Sequence, residues 1–412
     1  MQTYEKYKDS GVAWIGEIPY HWDVVSLKRS LRIKNGCDYK TIQVDEGGYP
    51  VIGSGGEFAR ASKYLYDGEV VLLGRKGTID KPLYYEGQFW VVDTMFYGIP
   101  LNNCFGKYLY FQSRTIPFNR YSTNTALPSM TQTDLNSHSI CLPTFAEQQC
   151  IASYLDKKCA NIDKVISTQR SRIELLQELK QSTITHAVTH GLNSNVKMKD
   201  SGVEWIGEVP EHWKVMKSSL MSSLIGSGTT PNTNNKDYYC ENEEEGYNWL
   251  QTGDLNNGLI ISTLKKVTLK AVKECNLKFY TTGSIVIAMY GATIGKVGIL
   301  GFNTAVNQAC CVLSKTDKIV SKFVFYLFLS AKESLLISAI GGGQPNISQD
   351  VIKKLKVVVP PLSEQQAIAT YLDKKCAELD NSISKAQKEI DLLQEYKQAL
   401  VTEVVTGKRK VC

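Results

Sequence analysis

The sequence contains the same fifteen-residue stretch twice, and this repeat limits the possible folds more than any other feature. Lys8 to Trp22 reads KDSGVAWIGEIPYHW and Lys199 to Trp213 reads KDSGVEWIGEVPEHW, so twelve of fifteen positions are identical. Such a repeat indicates an architecture built from duplicated units. With 412 residues the chain also exceeds what one hydrophobic core usually organises, which favours two or three domains.

A second repeat links segment 142–191 to segment 359–408, where 26 of 50 aligned positions are identical. Between the constant parts lie variable segments that are still related, because GEVVLLGRKGTIDK at Gly68 aligns with GSIVIAMYGATIGK at Gly283 and LPSMTQTDL aligns with QPNISQDVI. Change is concentrated in these variable segments, which indicates a shared scaffold that carries two different lobes. Gene duplication followed by drift is the alternative.

Two long helices are predicted for 144–191 and 361–412. Apolar residues recur there at alternating steps of three and four, which is the seam of a coiled coil. The seam positions of the first copy are Leu155, Cys159, Ile162, Ile166, Gln169, Ile173, Leu176 and Lys180. Those of the second copy are Leu372, Cys376, Leu379, Ile383, Ala386, Ile390, Leu393, Lys397, Leu400 and Val404. Capping boxes are predicted at Thr144 with Glu147 and at Ser363 with Gln366.

Helices of roughly 45 residues, with Gly191 and Gly407 as stops, would be about 70 Å long and would need a packing partner. The other copy, packed antiparallel, is the predicted partner because two matching seams are present. Lys180 and Lys397 occupy equivalent seam positions, where polar residues help to fix the register. Packing of each helix on its own domain or on another protein is the alternative.

The variable segments predict mixed α/β lobes. GEVVLLGR and GSIVIAMY are apolar and rich in β-branched residues, which predicts strands, and FWVVDTMFYGI and VNQACCVL predict further strands. KYLYFQSR and SKFVFYLFLSAKESLL predict buried helices. The polar stretches NTALPSM and GGGQPNI predict the loops that close each lobe.

Charge and cysteine content exclude few functions. Lysine and arginine outnumber aspartate and glutamate by 47 to 41, which is compatible with a polyanionic partner but does not require one. The eleven cysteines include no C-x-x-C pair, so we expect no metal site such as zinc, no disulfide framework is suggested, and a reducing cytosol fits best. The apolar run at 323–329 is too short to span a bilayer and the first ten residues lack a signal-peptide core, which predicts a cytoplasmic protein.

The sequence lacks the motifs of several catalytic classes. GATIGKV at Gly291 fails as a Walker A loop, because three residues separate its glycines and Val297 follows the lysine. The Asn-Pro-Pro-Tyr or Asp-Pro-Pro-Tyr tetrapeptide of adenine-N6 methyltransferases is absent. His21 and His212 stand beside the repeated tryptophans and are interpreted as packing or docking residues. We therefore predict no catalytic residue, and a chain that is itself a methyltransferase or nuclease is the rival hypothesis.

Polar side chains suited to contacts with DNA collect in the loops of the two lobes. Arginine or lysine can pair with guanine, glutamine or asparagine with adenine, and lysines can hold phosphates without reading sequence. For any one residue an ordinary surface turn is the alternative. The predicted DNA-contacting residues are Arg75, Lys76, Thr78, Lys81, Asn124 and Ser129 in the first lobe and Thr252, Asp254, Tyr290, Thr293, Lys296, Gln344 and Asn346 in the second.

Two lobes on paired helices would engage two half-sites on one face of a duplex, with centres about 10 base pairs apart or slightly less. The loops RKGTIDK and YGATIGK differ, so the half-sites should differ as well. The sequence therefore predicts a bipartite, asymmetric DNA target.

The chain resembles the specificity subunit of type I restriction-modification systems. The resemblance rests on the duplicated KDSGV-x-WIGE-x-P-x-HW, on EQQ-x-IA-x-YLDKK at the start of both long helices, and on the paired GTIDK and GATIGK loops. It covers essentially the whole chain in the order of the family. The first lobe has Leu127-Pro128-Ser129 where the second has QPN, so loop assignments transfer less directly there.

The resemblance implies two α/β (α+β) target-recognition domains joined by two long antiparallel coiled-coil helices, in a pseudo-twofold repeat. It implies a non-catalytic, DNA-binding subunit that docks two methyltransferase subunits and restriction subunits. S-adenosylmethionine, ATP and Mg²⁺ would be bound by those partners and not by this chain. The predicted scaffold and docking residues are Trp14, Trp22, Trp205, Trp213, Leu155, Ile162, Leu176, Leu372, Leu379 and Leu393.

The predicted domain limits follow the two repeats. Segment 1–143 is the first target-recognition domain with its opening motif, 144–191 the first spacer helix, 192–360 the second target-recognition domain and 361–412 the second spacer helix. A silent or recombination-donor cassette, or a coiled-coil scaffold that does not bind DNA, is the alternative function.

Overall fold

A computed structural model describes residues 3–121, 128–240, 245–338 and 346–412 of the chain. The chain divides into two compact units: unit 1 is Met1–Ser171 with Ala386–Cys412, and unit 2 is Arg172–Lys385. Each unit contains one lobe of strands and short helices together with part of both long helices. The described residues thus confirm the mixed α/β class and the two long helices.

Among its described residues, unit 1 contains a seven-stranded sheet and two strand pairs. Its strands are β1 (Tyr7–Asp9), β2 (Glu17–Pro19), β3 (Asp23–Ser26), β4 (Leu31–Asn35), β5 (Gln43–Val44), β6 (Tyr49–Gly53), β7 (Gly56–Ala61), β8 (Tyr66–Gly74), β9 (Leu83–Val91), β10 (Met95–Pro100) and β11 (Ser139–Leu142). Its short helices are α1 (Gly106–Ser113), α2 (Phe118–Tyr121) and α3 (Gln132–Ser137).

The large sheet of unit 1 has the order β4-β10-β8-β9-β6-β7-β5, and its neighbours are antiparallel except for the parallel pair β6 and β9. Helix α1 packs on β8, β9 and β10. The run Val70–Leu73 of β8 is fully buried, so both faces of this strand are covered. This explains why the strand is continuously apolar rather than alternating.

Among its described residues, unit 2 contains a five-stranded sheet, a four-stranded sheet and two strand pairs. Its strands are β12 (Met198–Asp200), β13 (Glu208–Pro210), β14 (Lys214–Lys217), β15 (Ile225–Ser227), β16 (Tyr247–Leu250), β17 (Leu259–Ile260), β18 (Lys266–Val267), β19 (Phe279–Tyr280), β20 (Ile285–Ala288), β21 (Val297–Leu300), β22 (Thr304–Val306), β23 (Cys310–Leu313) and β24 (Lys356–Val359). Its short helices are α5 (Leu269–Glu274), α6 (Ser321–Ser330), α7 (Lys332–Ile337) and α8 (Gln349–Lys354).

The sheets of unit 2 have the orders β15-β23-β20-β21-β17 and β18-β16-β22-β19. Helix α6 packs on β20 and β21, and Phe323, Leu327 and Phe328 on it are fully buried. Short 3-10 helices lie at Leu27–Arg29, Lys40–Ile42, Ser218–Leu220, Lys236–Tyr238, Thr252–Asp254 and Gly291–Thr293.

Several predicted elements are confirmed and others are divided. GEVVLLGR forms β8, GSIVIAMY forms β20 and KYLYFQSR forms α1. FWVVDTMFYGI is interrupted, because the Met95 amide bonds to the Val92 carbonyl at 3.0 Å in a turn between β9 and β10. VNQACCVL is likewise divided between β22 and β23. The predicted helix SKFVFYLFLSAKESLL is two helices, α6 and α7, which meet at Ala331.

The long helices are α4 (Phe145–His190) and α9 (Leu362–Val405), of 46 and 44 residues. In unit 1, Lys397 Nζ lies 2.6 Å from Asp163 Oδ1, and Gln169 Nε2 donates to Glu389 Oε2 at 2.9 Å. Residues further along α4 therefore meet residues earlier on α9, so the two segments in unit 1 run antiparallel.

The two seam lysines have equivalent partners. In unit 2, Lys180 Nζ lies 2.7 Å from Asp380 Oδ1, which matches the pair of Lys397 with Asp163 in unit 1. The expected interruption of the apolar seam is thus accompanied by an ion pair that recurs in both units. Such paired charges favour one register over its neighbours.

The ends of the long helices confirm one predicted capping box and correct the other. Glu147 Oε2 accepts from the Thr144 amide at 3.2 Å and Thr144 Oγ1 accepts from the Glu147 amide at 3.4 Å, as the first box requires. The box at Ser363 is wrong, because α9 already begins at Leu362 and the Gln366 side chain donates to Thr370. Proline occupies position 361, where the first copy has its capping threonine.

A disulfide is present although the cysteine spacing suggested no disulfide framework. Cys150 and Cys412 are bonded, with their Cα atoms 6.1 Å apart and 262 positions between them in the sequence. Spacing along the chain could not predict this pair, because the cysteines meet only where the chain after α9 returns to the first turns of α4 within unit 1. No helix among the described residues is long and apolar enough to cross a membrane.

Candidate nucleic-acid interface

The repeated motif and the long helices are joined by the same hydrogen bonds in both units. In unit 1, Glu147 Oε1 lies 2.9 Å from His21 Nε2 and accepts from Trp22 Nε1 at 3.3 Å. In unit 2, Glu364 Oε1 lies 2.7 Å from His212 Nε2 and Glu364 Oε2 accepts from Trp213 Nε1 at 3.0 Å. We call each set a carboxylate clamp. It confirms the interpretation of both histidines as docking residues.

The clamp affects the ionisation of its carboxylate. Burial opposes the charged form of Glu147, but hydrogen bonds from His21, Thr144 and Trp22 outweigh it and lower the pKa of this carboxyl. Trp22 and Trp213 are fully buried, so each tryptophan fills the core of its own unit. Both side chains therefore lie inside the scaffold and not on its surface.

A buried glutamine beside each clamp anchors the lobe to the helix. Gln148 accepts from the Phe105 amide at 2.8 Å and donates to the Pro143 carbonyl at 3.0 Å. Gln365 accepts from the Val320 amide at 2.9 Å and donates to the Pro360 carbonyl at 2.9 Å. The sequence EQQ stands at the start of both long helices and was interpreted only as part of a repeat. Its recurrence at that position was the sequence signal for these contacts.

The glycines that end the long helices pack against the repeated motif. Gly191 has φ +80° and Gly407 has φ +73°, a conformation that favours glycine. A Cβ atom on Gly407 would lie 2.2 Å from Pro19 Cδ, and one on Gly191 would lie 3.1 Å from the Trp213 ring. In each unit the motif therefore contacts the start of one long helix and the end of the other.

The other predicted docking residues differ in burial. Trp14 and Trp205 are half-buried; Trp14 stacks on His138 with ring centroids 5.3 Å apart, and burial lowers the pKa of that histidine to about 4. The predicted helix residues are buried at Leu155, Ile162, Leu372 and Leu379 and half-buried at Leu176 and Leu393. The half-buried pair lies in the C-terminal half of each helix.

In unit 1 the fold brings two of the predicted DNA-contacting stretches together. The Met130 amide bonds to the Arg75 carbonyl at 3.0 Å and the Gly77 amide to the Pro128 carbonyl at 2.9 Å, while Lys76 and Ser129 form an isolated β-bridge. Lys76, Thr78 and Lys81 are exposed and Arg75 and Ser129 are half-buried. Asn124 lies outside the described residues.

The Arg75 side chain is already held within the lobe. Its Nη1 donates to the Asp93 carbonyl at 3.2 Å and its guanidinium lies 5.8 Å from the centroid of the Phe96 ring. A guanidinium fixed in this way loses less conformational freedom when it also binds a ligand. Within the described ranges no hydrogen bond or ion pair holds the side chains of Lys76 and Lys81, so these lysines suit contacts with phosphates better.

Unit 2 repeats this arrangement with different side chains. The Ile347 amide bonds to the Met289 carbonyl at 2.9 Å, and Tyr290 forms an isolated bridge with Asn346. Tyr290 and Asn346 are exposed, whereas Thr293 and Lys296 are half-buried. Gln344 lies outside the described residues. In both units the central loop thus meets the closing loop, and the exposed side chains at this junction differ.

Asp254 and Thr252 lie in a short 3-10 turn of unit 2. Both carboxylate oxygens of Asp254 accept backbone amides, from Gln251 at 2.8 Å and from Leu264 at 3.1 Å, so this side chain positions the loop. Asn257 Oδ1 accepts from the Val297 amide at 3.0 Å, which ties this segment to β21 directly after Lys296. Across the described residues, no group of three or more His, Cys, Asp or Glu side chains could hold a metal ion.

Comparisons with known proteins agree with this geometry. A family model described as the type I restriction modification DNA specificity domain matches the chain twice, at residues 19–175 and 210–391. The MjaVIII type I specificity subunit of Methanocaldococcus jannaschii is 27% identical over 439 residues, covering 96% of this chain and 94% of the relative. The EcoR124I/EcoR124II specificity subunit of Escherichia coli is 25% identical and covers 60% of this chain and 63% of the relative.

Solved structures show the same fold. A chain from a structural study of complex assembly and conformational transition of the type I R-M system aligns with a TM-score of 0.73 at 15% identity, covering 94% of this chain and 98% of that chain. The HsdS subunit of Thermoanaerobacter tengcongensis aligns with a TM-score of 0.50 at 14% identity, covering 95% of this chain and 98% of that chain. Since the family model accounts for well over half of the sequence in two copies, the chain belongs to the type I restriction-modification DNA specificity family.

Proposed function

We propose that the chain is the sequence-specific DNA-recognition subunit of a type I restriction-modification complex and reads a bipartite, asymmetric site. One observation carries this proposal: the scaffold contacts recur residue by residue in both units, whereas the exposed loop junctions differ. Arg75, Lys76 and Ser129 stand in unit 1 where Tyr290 and Asn346 stand in unit 2. The two similar scaffold halves would thus hold two different base-reading surfaces against one DNA duplex.

In this proposal α4 and α9 form an antiparallel coiled coil along their whole length, with the two lobes related by a pseudo-twofold. The antiparallel contacts in unit 1 and the matching pairs of Lys397 with Asp163 and Lys180 with Asp380 support it. A twofold scaffold offers two equivalent surfaces, which suits two copies of one methyltransferase subunit. Restriction subunits join the same complex.

The proposal assigns the chemistry to the partners. Adenine-N6 methylation, with S-adenosylmethionine, and cleavage, with ATP and Mg²⁺, would belong to the other subunits, and this chain would contribute no catalytic cofactor. The complex would act in the cytoplasm. The candidate contacts in the loops, including Thr78, Thr252, Thr293 and Lys296, would read or hold the DNA.

The loop assignment can be tested by salt dependence. Binding of the target duplex by the complex with its methyltransferase partner should weaken with salt, and Lys76→Ala with Lys81→Ala should reduce the log-log slope by about 0.9 for each phosphate that the protein no longer neutralises. Lys164→Ala removes an exposed lysine from the middle of α4 and is the matched control. An unchanged slope in the double variant would show that these lysines do not contact the DNA phosphates.

Two exposed apolar pairs on the long helices suit the proposed docking of two identical partners. Leu175 and Leu179 on α4 are 65% and 50% exposed, and Leu392 and Tyr396, at the aligned positions of α9, are 65% and 49% exposed. Residues four apart lie on one face of a helix, so each pair forms a small apolar patch. Two copies of one partner need two similar docking surfaces. An exposed apolar patch at aligned positions of α4 and α9 meets this requirement.

We expect Leu175→Glu with Leu179→Glu to reduce the number of bound methyltransferase subunits from two to one, measured by native mass spectrometry of the co-expressed complex. The reason is that a buried, unpaired carboxylate strongly disfavours an apolar interface. Val165→Ser is the control, since Val165 is also exposed but its aligned residue is Ser382. Two bound partners in the double glutamate variant would contradict the docking surface.

A further inference from the structure

We infer that the C-terminal end of α4 carries a binding site for one divalent transition-metal ion, formed by His186 and His190. The two imidazole rings are stacked with centroids 4.8 Å apart and an angle of 8° between their planes. They stand four residues apart on one helix, a spacing that places side chains on the same face. Imidazole nitrogens suit Zn²⁺, Cu²⁺ and Ni²⁺.

The tautomer of His190 is fixed by a chain of hydrogen bonds. The Thr189 hydroxyl donates its one proton to the Thr185 carbonyl at 2.7 Å. The same oxygen lies 2.7 Å from His190 Nδ1, so it must accept a proton from that nitrogen. Neutral His190 therefore carries its proton on Nδ1 and has a free lone pair on Nε2. In metal sites, a hydrogen bond to the other ring nitrogen commonly holds a metal-binding imidazole in its orientation.

His186 is free to complete the pair. Its side chain is exposed, and within the described part of the chain no hydrogen bond holds its ring nitrogens. Stacked rings cannot both direct an in-plane lone pair at one ion, but the exposed His186 ring can turn out of the stack. Both imidazoles can then bind one ion at the usual metal–nitrogen distance of about 2.0–2.1 Å. Open hollows lined by Glu178, Ser182 and Thr185 on one side and by Tyr371 on the other leave room for water at the remaining positions.

The position of the pair at the C-terminal end of α4 favours a cation. The two histidines lie in the last turns of α4, where the unsatisfied carbonyls give the helix end a partial negative charge. The aligned positions on α9 are Glu403 and Gly407, so the pair exists only on α4. This site differs from the expectation of no metal, which rested on cysteine spacing. That expectation did not consider the two histidines that share one face of α4.

The inference is tested by titrating Zn²⁺ into the full chain by calorimetry at pH 7.5, with Ni²⁺ in parallel. We expect one ion per chain, and His186→Ala or His190→Ala should weaken binding at least tenfold. Thr189→Val should weaken it less, because both imidazoles remain and only the support for one is removed. Ser182→Ala, which alters a non-ligand in the same hollows, should bind like the parent chain.

Thermal unfolding gives a second readout, since an ion that binds only the folded chain raises the unfolding temperature. Zn²⁺ should stabilise the parent chain and Ser182→Ala equally, and should not stabilise His186→Ala. Equal affinity in the parent chain and both histidine variants would overturn the site. So would the absence of any binding by the folded parent chain up to millimolar Zn²⁺.

Discussion

Replacing Trp213 with alanine is expected to destabilise unit 2 by about 3–5 kcal/mol, the range for truncating a fully buried aromatic side chain. The Trp213 ring is 1% exposed, contacts Gly191 at the end of α4, and donates to Glu364 at the start of α9. Its removal would leave a cavity where the motif meets both long helices. Hydrogen exchange of the β20 and β23 amides, which lie in unit 2, measures the change in free energy of unfolding.

Two conservative variants test how much of this destabilisation comes from the lost hydrogen bond rather than from the lost side-chain volume. Trp213→Phe removes the bond to the Glu364 carboxylate and should cost about 1.5–3 kcal/mol. Trp205→Phe should change the stability by less than about 1 kcal/mol, because the buried Trp205 Nε1 has no hydrogen-bond partner among the described residues and its removal breaks no bond. Equal effects of the two phenylalanine variants would contradict the carboxylate clamp.

Replacing Gly407 with alanine should destabilise unit 1 by about 2–5 kcal/mol. The backbone at φ +73° costs a non-glycine residue about 1–2 kcal/mol, and the new Cβ atom would lie 2.2 Å from Pro19 Cδ. Relieving such an overlap typically costs about a further 1–3 kcal/mol. The change can be measured by hydrogen exchange of the β8 and β10 amides in unit 1.

Gly11→Ala is the matched control for this glycine. Gly11 has φ +68°, and a Cβ atom there would meet nothing within 4 Å, so only the backbone cost of about 1–2 kcal/mol applies. If Gly407→Ala cost no more than Gly11→Ala, the close contact between the helix end and the repeated motif would not be a source of stability.

The sequence predicted those features that depend on local pattern or on repetition. The long helices α4 and α9 follow from apolar residues three and four apart, and the capping box at Thr144 follows from a four-residue motif. The repeated sequences also identified the loops that meet in both lobes, although not their contact, in which Lys76 pairs with Ser129 and Tyr290 with Asn346. Residue roles at these junctions stay predictions.

Features that depend on contacts between distant segments were not predicted. Glu147 meets His21 across 126 positions of sequence, and Cys150 meets Cys412 across 262. No spacing rule covers such distances, because the fold alone decides which loops return to which helix end. The Ser363 box failed for a different reason: both helices begin at the same aligned position, so Pro361 is the N-cap of α9 where Thr144 is that of α4, and proline has no side-chain acceptor.

The central claim is that two unlike lobes on a repeated scaffold each read one half of a split DNA site. Its most direct test is to co-express the chain with its cognate methyltransferase subunit and map adenine methylation across a genome. We expect one bipartite, asymmetric motif, and exchange of residues 20–143 for those of another family member should alter one half of it and leave the other half unchanged. Alteration of both halves by that exchange, or methylation that follows no split motif, would contradict the account.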